Sequence, residues 1–504
     1  MKTKNSILNF ITEVIPLILI TFIGLFKSKL LVSQLSTNSV GLYQLYSQLL
    51  GYVTIFEFGM TGALLYRFFA PVNKKDQKRI NILFTSGNRV FSIIAIIMLF
   101  ISIIFTLFIP MLIKDNPFSY VYILITFLMY VSTNIIYYLV VSYKVLLEAE
   151  EKRYITNLII QIFEIIKSIL EIICLLVFKN LIALLSVGIV TTIMSSIFII
   201  VVCKKYNPKL KKTKEKDYSM LSDVKNLFVH KIAFLVNNNV DLILVTKIMG
   251  LSQVVVYSMY NYITNSLKKI TSRIYVSIVP SLGNLLVEDN KKAIGVFYEV
   301  NNFMFYLATV ITTSLVICFN GFINIWYDGQ IYTSYMYALG FSIVFFANIV
   351  LQPLIAFTDA GGCFKETKKC AILEATINLG LSLVLIKPFG MFGILLATFI
   401  GYTVADNIIR AKVICNNLLN TSVKRYYKNL IFYYIVPSIM IFVEYFLLNN
   451  ITYSNILSWF LISCLILCVN TIITSIIFKI FNKLDFMDRI KKLFKRKVVS
   501  NEKN

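Results

Sequence analysis

Along the chain, long apolar stretches alternate with short polar ones, and fourteen of them reach the roughly 20 residues a helix needs to cross a bilayer. They fall near 7–31, 42–68, 89–113, 119–142, 155–178, 181–203, 228–249, 253–279, 297–325, 332–357, 370–387, 391–411, 429–448 and 454–480. The pattern predicts an all-α polytopic membrane protein of about 14 transmembrane helices. Alternate connections are basic. Lys74, Lys75, Lys78 and Arg79 follow the second segment, and Lys144, Lys152 and Arg153 flank the fourth connection. A dense Lys run from Lys204 to Lys216 follows the sixth segment. Lys291 and Lys292 follow the eighth, Lys365, Lys368 and Lys369 the tenth, and Arg410, Lys412, Lys424, Arg425 and Lys428 the twelfth. The connections between them (STNSVG, KDNP, GLSQ, WYDGQ, KPFG, NNITYS) are nearly free of Lys and Arg. Basic loops stay in the cytoplasm, so both termini are expected there, and Trp326 and Trp459 fall at the outer interface, where indole rings prefer to sit.

The seventh and eighth segments break the apolar rule. The eighth is too polar for hydropathy alone to retain, yet without it every later basic loop would lie outside. Parity therefore requires it to cross, and its polarity requires shielding from lipid. From His230 to Pro280 the chain carries Asn237, Asn238, Asn239, Asp241, Lys247, Lys268, Lys269 and Arg273. A charge at the bilayer centre costs about 2.5–3.5 kcal/mol on insertion scales, so these side chains need water, protein or a ligand. The two helices are expected to line a cationic, water-filled cavity that the rest of the chain encloses.

The chain also repeats. LVSQLSTNSVGLYQLY (Leu31 to Tyr46) resembles LVTKIMGLSQVVVYSMY (Leu244 to Tyr260), and NKKDQKRINILF (Asn73 to Phe84) resembles VEDNKKAIGVFY (Val287 to Tyr298), both at an offset close to 214. An offset of six segments preserves orientation, so the halves are parallel repeats. The expected layout is a six-helix bundle over 1–205, a basic cytoplasmic linker over 206–226 and a second six-helix bundle over 227–415. Two extra helices over 416–482 and a basic cytoplasmic tail over 483–504 complete it.

Composition narrows the function. The 504 residues are 58% hydrophobic with a formal charge of +24, and the mean hydropathy is +0.77. The excess Lys and Arg sit in short loops, which argues for topology rather than nucleic-acid binding. Lys2 and Lys4 precede an apolar run too long for a signal-peptide core, so the first segment reads as an uncleaved span. The eight Cys form no C-x-x-C pair, and His230 is the single His. Neither a disulfide framework, a metal site nor His-based catalysis is expected. No phosphate-binding G-x-x-x-x-G-K-[ST] loop occurs, and no outer connection could hold a soluble catalytic domain, so the chain does not read as an enzyme.

Candidate chemistry therefore rests on intramembrane polar groups. Tyr262, Asn265 (or Ser266), Lys269 and Arg273 recur at helical spacing on one face of the eighth segment. Lys269 lies about 24 Å along that helix from Gln253, at 1.5 Å per residue. With Lys268 they suit phosphate binding, Arg as a fork and Lys as a point charge; the alternative is that the cations snorkel to inner headgroups. Lys247, Lys27 and Arg67 are further cavity cations, although Lys27 suits the outer interface equally and Arg67 suits a cytoplasmic anchor. Asn237, Asn238 and Asn239 offer neutral polar contacts. Asp241, Glu57 and Glu13 are candidates for coupling to H⁺ or Na⁺, with an ion pair to a lysine as the alternative for Asp241. Glu164, Lys167 and Glu171 share one face of the fifth segment and suggest an internal ion-pair network. Asp406 with Arg410 reads as a structural pair.

The stretches TNSVGLYQLYSQLLGYVTIFEFGMTGALLYRFFA, VDLILVTKIMGLSQVVVYSMYNYITNSL and FTDAGGCFKETKK resemble oligosaccharide-repeat flippases of the Wzx type. Those flippases form the polysaccharide-transporter branch of the multidrug/oligosaccharidyl-lipid/polysaccharide (MOP) exporter superfamily. The resemblance covers nearly the whole chain and implies a V-shaped pair of six-helix bundles working by alternating access. Its implied cargo is an undecaprenyl-linked oligosaccharide, moved from the inner to the outer leaflet of the bacterial cytoplasmic membrane, with polysaccharide polymerase or assembly proteins as partners. It implies no resident cofactor. In the related lipid II flippases the last two helices hold the lipid tail. A drug antiporter, or a flippase for lipid II or a teichoic precursor, remains open from the residues alone.

Overall fold

The computed structural model describes residues 19–57, 59–218, 240–448 and 451–484. They are overwhelmingly helical, with no strand among them. Two compact units divide the chain, Met1–Val255 and Val256–Asn504.

The first unit holds α1 (19–34), α2 (Thr37–Val53), α3 (Met60–Lys74), α4 (Gln77–Leu112), α5 (Tyr120–Tyr138), α6 (Val141–Ala149), α7 (Arg153–Phe178), α8 (Leu181–Tyr206) and α9 (240–249). Helix α10 (Leu251–Glu288) carries the boundary between the units. The second unit continues with α11 (Asn290–Trp326) and α12 (Tyr335–Gly361). The helical stretch Phe364–Gly401 is interrupted at Gly390, whose φ of 56° and ψ of −136° no helix accommodates. Gly390 therefore separates α13 (364–389) from α14 (391–418), which runs on through two π-helical turns, Tyr402–Arg410 and Ile414–Leu418. Helices α15 (Lys424–Leu448) and α16 (Ile456–Ile480) close the unit.

The polar connections become caps. Ser119 accepts a hydrogen bond from the Tyr122 N–H at the start of α5, and Asn180 accepts one from Ile182 at the start of α8. At α16, Asn455 and Ser458 form a reciprocal capping box. Each cap satisfies amide donors that a helix start leaves without partners.

The outward faces are oily. On α4, Ile93, Ile96, Phe100, Ile103, Leu107 and Met111 recur every three to four residues, and each is exposed. A soluble helix would present the opposite polarity, so this face meets hydrocarbon. Eight helical stretches among the described residues are long and apolar enough to cross a membrane. One of them spans 54 residues, about 80 Å at 1.5 Å per residue, far beyond a hydrocarbon core of roughly 30 Å. The turn at Gly390 makes it two crossings. Helix α7 falls short only because Glu164, Lys167 and Glu171 crowd every window, and α10 because of its polar row. The chain is a multi-pass, all-α membrane protein.

The repeat expected at 214 residues has a structural counterpart. Tyr46 packs its ring 5.1 Å from Phe127 in the first unit, and Tyr260 packs 5.3 Å from Phe341 in the second. Both members of the pair advance by 214, and both tyrosines are fully buried. Thr271 accepts a hydrogen bond from Gln352 at 3.2 Å, and the matching positions 214 earlier, Glu57 and Tyr138, also lie within electrostatic reach of one another.

Two features depart from the sequence expectation. The second apolar segment is not one helix: α2 ends at Val53, a 3₁₀ turn covers Thr54–Glu57, and Gly59 takes a left-handed conformation before α3. The corresponding stretch of α10 is continuous. The basic linker is also not a free connection in its first half. Its residues run along the N-terminal part of α4, where the Lys211, Thr213 and Asp217 amides donate to the side chains of Asn81, Thr85 and Ser86. Arg79 pairs with Asp217 there.

Candidate functional site

Helix α10 has two unlike faces. Tyr260, Thr264 and Thr271 are buried in the second unit's core, and Leu267 packs against it. The hydroxyl groups on this face are satisfied internally: Thr264 bonds back to the Asn261 carbonyl, and Thr271 receives Gln352. The opposite row is Tyr262, Asn265 and Lys269. Asn265 and Lys269 are exposed, and Tyr262 and Lys268 are half-buried. Arg273 continues the row along the helical backbone, although its side chain lies outside the described residues. The row is thus a polar, cationic strip on the face that the unit's own core leaves uncovered. An isolated cation cannot rest in hydrocarbon, so such a strip needs water or an anion.

The first unit holds a second polar centre. The Lys27 ammonium sits 2.9 Å from Glu171, which is only 3% exposed. Lys167 lies 3.6 Å from Glu164 one turn away on α7. The rings of Tyr43 and Tyr130 meet edge to face at 5.5 Å beside these charges. Two cations and two carboxylates therefore neutralise each other among α1, α2, α5 and α7. Lys27, expected either at the interface or in the cavity, has its charge met by Glu171.

The other expected site residues separate. Glu57 accepts a hydrogen bond from the Thr61 N–H at 3.1 Å, so its carboxylate caps α3 just after the break, where the helix dipole favours negative charge. Arg67 lines a cleft of about 660 Å³ at the α3–α4 turn with Lys74, Arg79, Tyr66 and Phe69. Asp241 is 6% exposed and close enough to Tyr52 for its charge to act on the phenol. Lys247 is expected in the cavity wall. It lies instead at the exposed C-terminal end of α9, its ammonium on the Met111 carbonyl in the last turn of α4, where a cation complements a helix end. Glu13, Asn237, Asn238 and Asn239 lie outside the described residues.

Sequence reasoning missed one member of a charged cluster. Asp406 is fully buried, and Arg410 grips one of its oxygens through two nitrogens at 2.7 and 2.6 Å. Glu374, 8% exposed, faces Asp406 from the other arm of the α13–α14 hairpin. The i, i+4 pair is visible in the sequence; the third member becomes visible only once Gly390 folds α13 back on α14. Glu444 on α15 is also buried, beside Asn470 of α16.

No known protein family matches the chain by its sequence profile. No curated protein sequence matches it. Solved structures do match. The lipid II flippase MurJ in an inward closed conformation aligns at a TM-score of 0.66 and 17% identity, covering 95% of this chain and 99% of that one. A multidrug resistance MATE family transporter of the MOP superfamily aligns in its inward-facing conformation at a TM-score of 0.52 and 13% identity, covering 79% of this chain and 95% of its own. Its outward-facing conformation aligns at 0.53 and 13%, covering 80% and 93%. The chain therefore shares its fold with the lipid II flippase MurJ and with a MATE family transporter.

Proposed function

We propose that the chain is a flippase for undecaprenyl-(pyro)phosphate-linked oligosaccharide repeat units. It moves them from the inner to the outer leaflet of the bacterial cytoplasmic membrane by alternating access, for surface polysaccharide synthesis. The observation that carries this reading is the uncovered strip Tyr262–Asn265–Lys269 on α10. A lipid-linked sugar phosphate has an anionic head that hydrocarbon rejects and a polyprenyl tail that it accepts. Lys268, Lys269 and Arg273 would replace the head's lost hydration, while Tyr262 and Asn265 suit sugar hydroxyls by stacking and hydrogen bonding. Fold similarity to a lipid II flippase along nearly the whole of both chains supports a lipid-linked cargo. Asp241 and Glu57, with Glu13, are the candidates for H⁺ or Na⁺ coupling, and polysaccharide polymerase and assembly proteins are the expected partners.

The same similarity favours a second cargo, lipid II or a teichoic precursor. The fold is also that of drug-exporting transporters, but organic cations call for a carboxylate-lined path, and the α10 strip is cationic. The test is translocation in proteoliposomes with leaflet-resolved detection of an undecaprenyl-pyrophosphate-linked oligosaccharide. Lys269→Glu with Arg273→Glu is expected to lower translocation at least tenfold with insertion intact. Unchanged translocation by the double variant overturns the phosphate-cradle reading.

A further inference from the structure

The second unit contains a cavity of about 470 Å³ where α11 ends, α12 begins and Leu448 and Ile451–Tyr453 pass. Its wall includes Asn320, Asn324, Thr333, Tyr335, Thr452 and Tyr453, and among the described residues none that line it is Lys, Arg, Asp or Glu. The volume is in the range of small-ligand pockets, roughly 300–1,000 Å³. Beside the aliphatic Val316, Ile317, Ile325, Leu448 and Ile451, these amides, hydroxyls and phenols offer no counter-charge to a phosphate or a cation. They offer hydrogen-bond donors and acceptors at several angles, together with aromatic faces, which is the chemistry that recognises a neutral polyol ring.

The wall is rigidly supported. The buried Tyr260 hydroxyl donates to the Asn320 amide oxygen at 2.5 Å, and Tyr260 is itself stacked on Phe341 at 5.3 Å. This bond holds the Asn320 amide, which belongs to the cavity lining. Tyr335 is braced by Tyr445 at 4.6 Å. Gly321 lets the Tyr453 ring lie directly on α11, since a Cβ there would stand 2.3 Å from a ring carbon. A side chain at 321 would displace that aromatic wall.

We propose that this cavity is a carbohydrate-binding site that takes one or two neutral sugar rings, separate from the cationic strip on α10. It rests on the flippase reading for the identity of its ligand, the glycan portion of the cargo. It lies at the Trp326 end of α11, which the loop charges put outside, and would hold the sugars as they emerge.

The protein carries its own reporter. Its two tryptophans, Trp326 and Trp459, flank Phe322 at 5.6 and 4.9 Å, next to the cavity. Intrinsic fluorescence of the full chain in nanodiscs is titrated with chitobiose, lactose and maltose, and in parallel with inorganic phosphate. At least one disaccharide is expected to give a saturable change, and phosphate none. Asn324→Leu and Thr452→Val each remove one polar contact and are expected to weaken binding about three- to tenfold, and Gly321→Val to abolish it. No saturable response to any of the three sugars overturns the proposal, as does a response in all three variants equal to that of the unsubstituted chain. Binding is read without transport. A chain that binds sugar but does not translocate contradicts the flippase reading alone, and one that translocates but does not bind contradicts this one alone.

Discussion

At the scale of single residues, the polar groups inside this protein divide into those already neutralised and those left over. Lys27, Glu164, Lys167 and Glu171 belong to the first kind. Breaking one buried pair leaves a charge without a partner, which costs about 3–5 kcal/mol, whereas replacing both partners with apolar groups of similar size is often neutral. Glu171→Ala is therefore expected to lower thermal stability sharply, and Lys27→Met with Glu171→Met to restore most of it; both are read by melting of the purified protein. Equal losses in the two would mean that the pair is not electrostatically coupled. The α7 half of this centre is legible in the sequence from its i, i+3 and i+4 spacing. Its partner is not, because Lys27 lies 144 positions away and only packing selects it. Glu374 escapes for the same reason. Lys269 belongs to the other kind: exposed, in a span, on the face its own unit does not cover.

At the scale of elements, hydropathy locates spans well and their interruptions poorly. The KPFG connection is readable as a turn, and the structure places it at Gly390, after Pro388. What periodicity does not reveal is how tightly the arms close: a Cβ on Gly393 would meet the Leu385 carbonyl oxygen at 2.2 Å. Backbone cannot yield as a flexible side chain can, so Gly393→Ala is expected to destabilise the hairpin by more than the few tenths of a kcal/mol typical of a surface change. A lowered melting temperature or loss of expression checks this. Asn455→Ala, which removes the capping box of α16, is expected to cost about 1 kcal/mol in the same assay. The break between α2 and α3 hides inside an apolar run, TIFEFGMTGA, where only Gly59 hints at it. There Glu57 acquires a defined role, capping α3. If that carboxylate also exchanges a proton or sodium ion, Glu57→Gln is expected to remove the dependence of translocation on the ion gradient, with Asp241→Asn as the parallel test. A gradient response left intact by both variants rules the two residues out.

At the scale of the whole molecule, the repeat is the feature that sequence and structure express most consistently. Tyr46 with Phe127 and Tyr260 with Phe341 are the same contact made twice, and the matching strings LYQLY and VYSMY supply it. The repeat also isolates what differs. The first unit breaks its second segment and pairs Lys27 and Lys167 with the carboxylates of α7. The second keeps α10 continuous and leaves Lys269 exposed on it. That asymmetry is the basis for assigning the anionic head of the cargo to α10. Parity of the loop charges makes α10 a span; the structure adds which of its faces is occupied.

Cysteine accessibility along α10 tests that assignment most directly. In a background with the eight native cysteines replaced, single cysteines at 262, 265 and 269 are compared with 260, 264 and 271, using a membrane-impermeant thiol reagent in intact membranes and in inverted vesicles. Reaction at 262, 265 and 269 with protection at 260, 264 and 271 is the predicted result. Protection of all six sites, as expected if the strip faced lipid, would contradict the account.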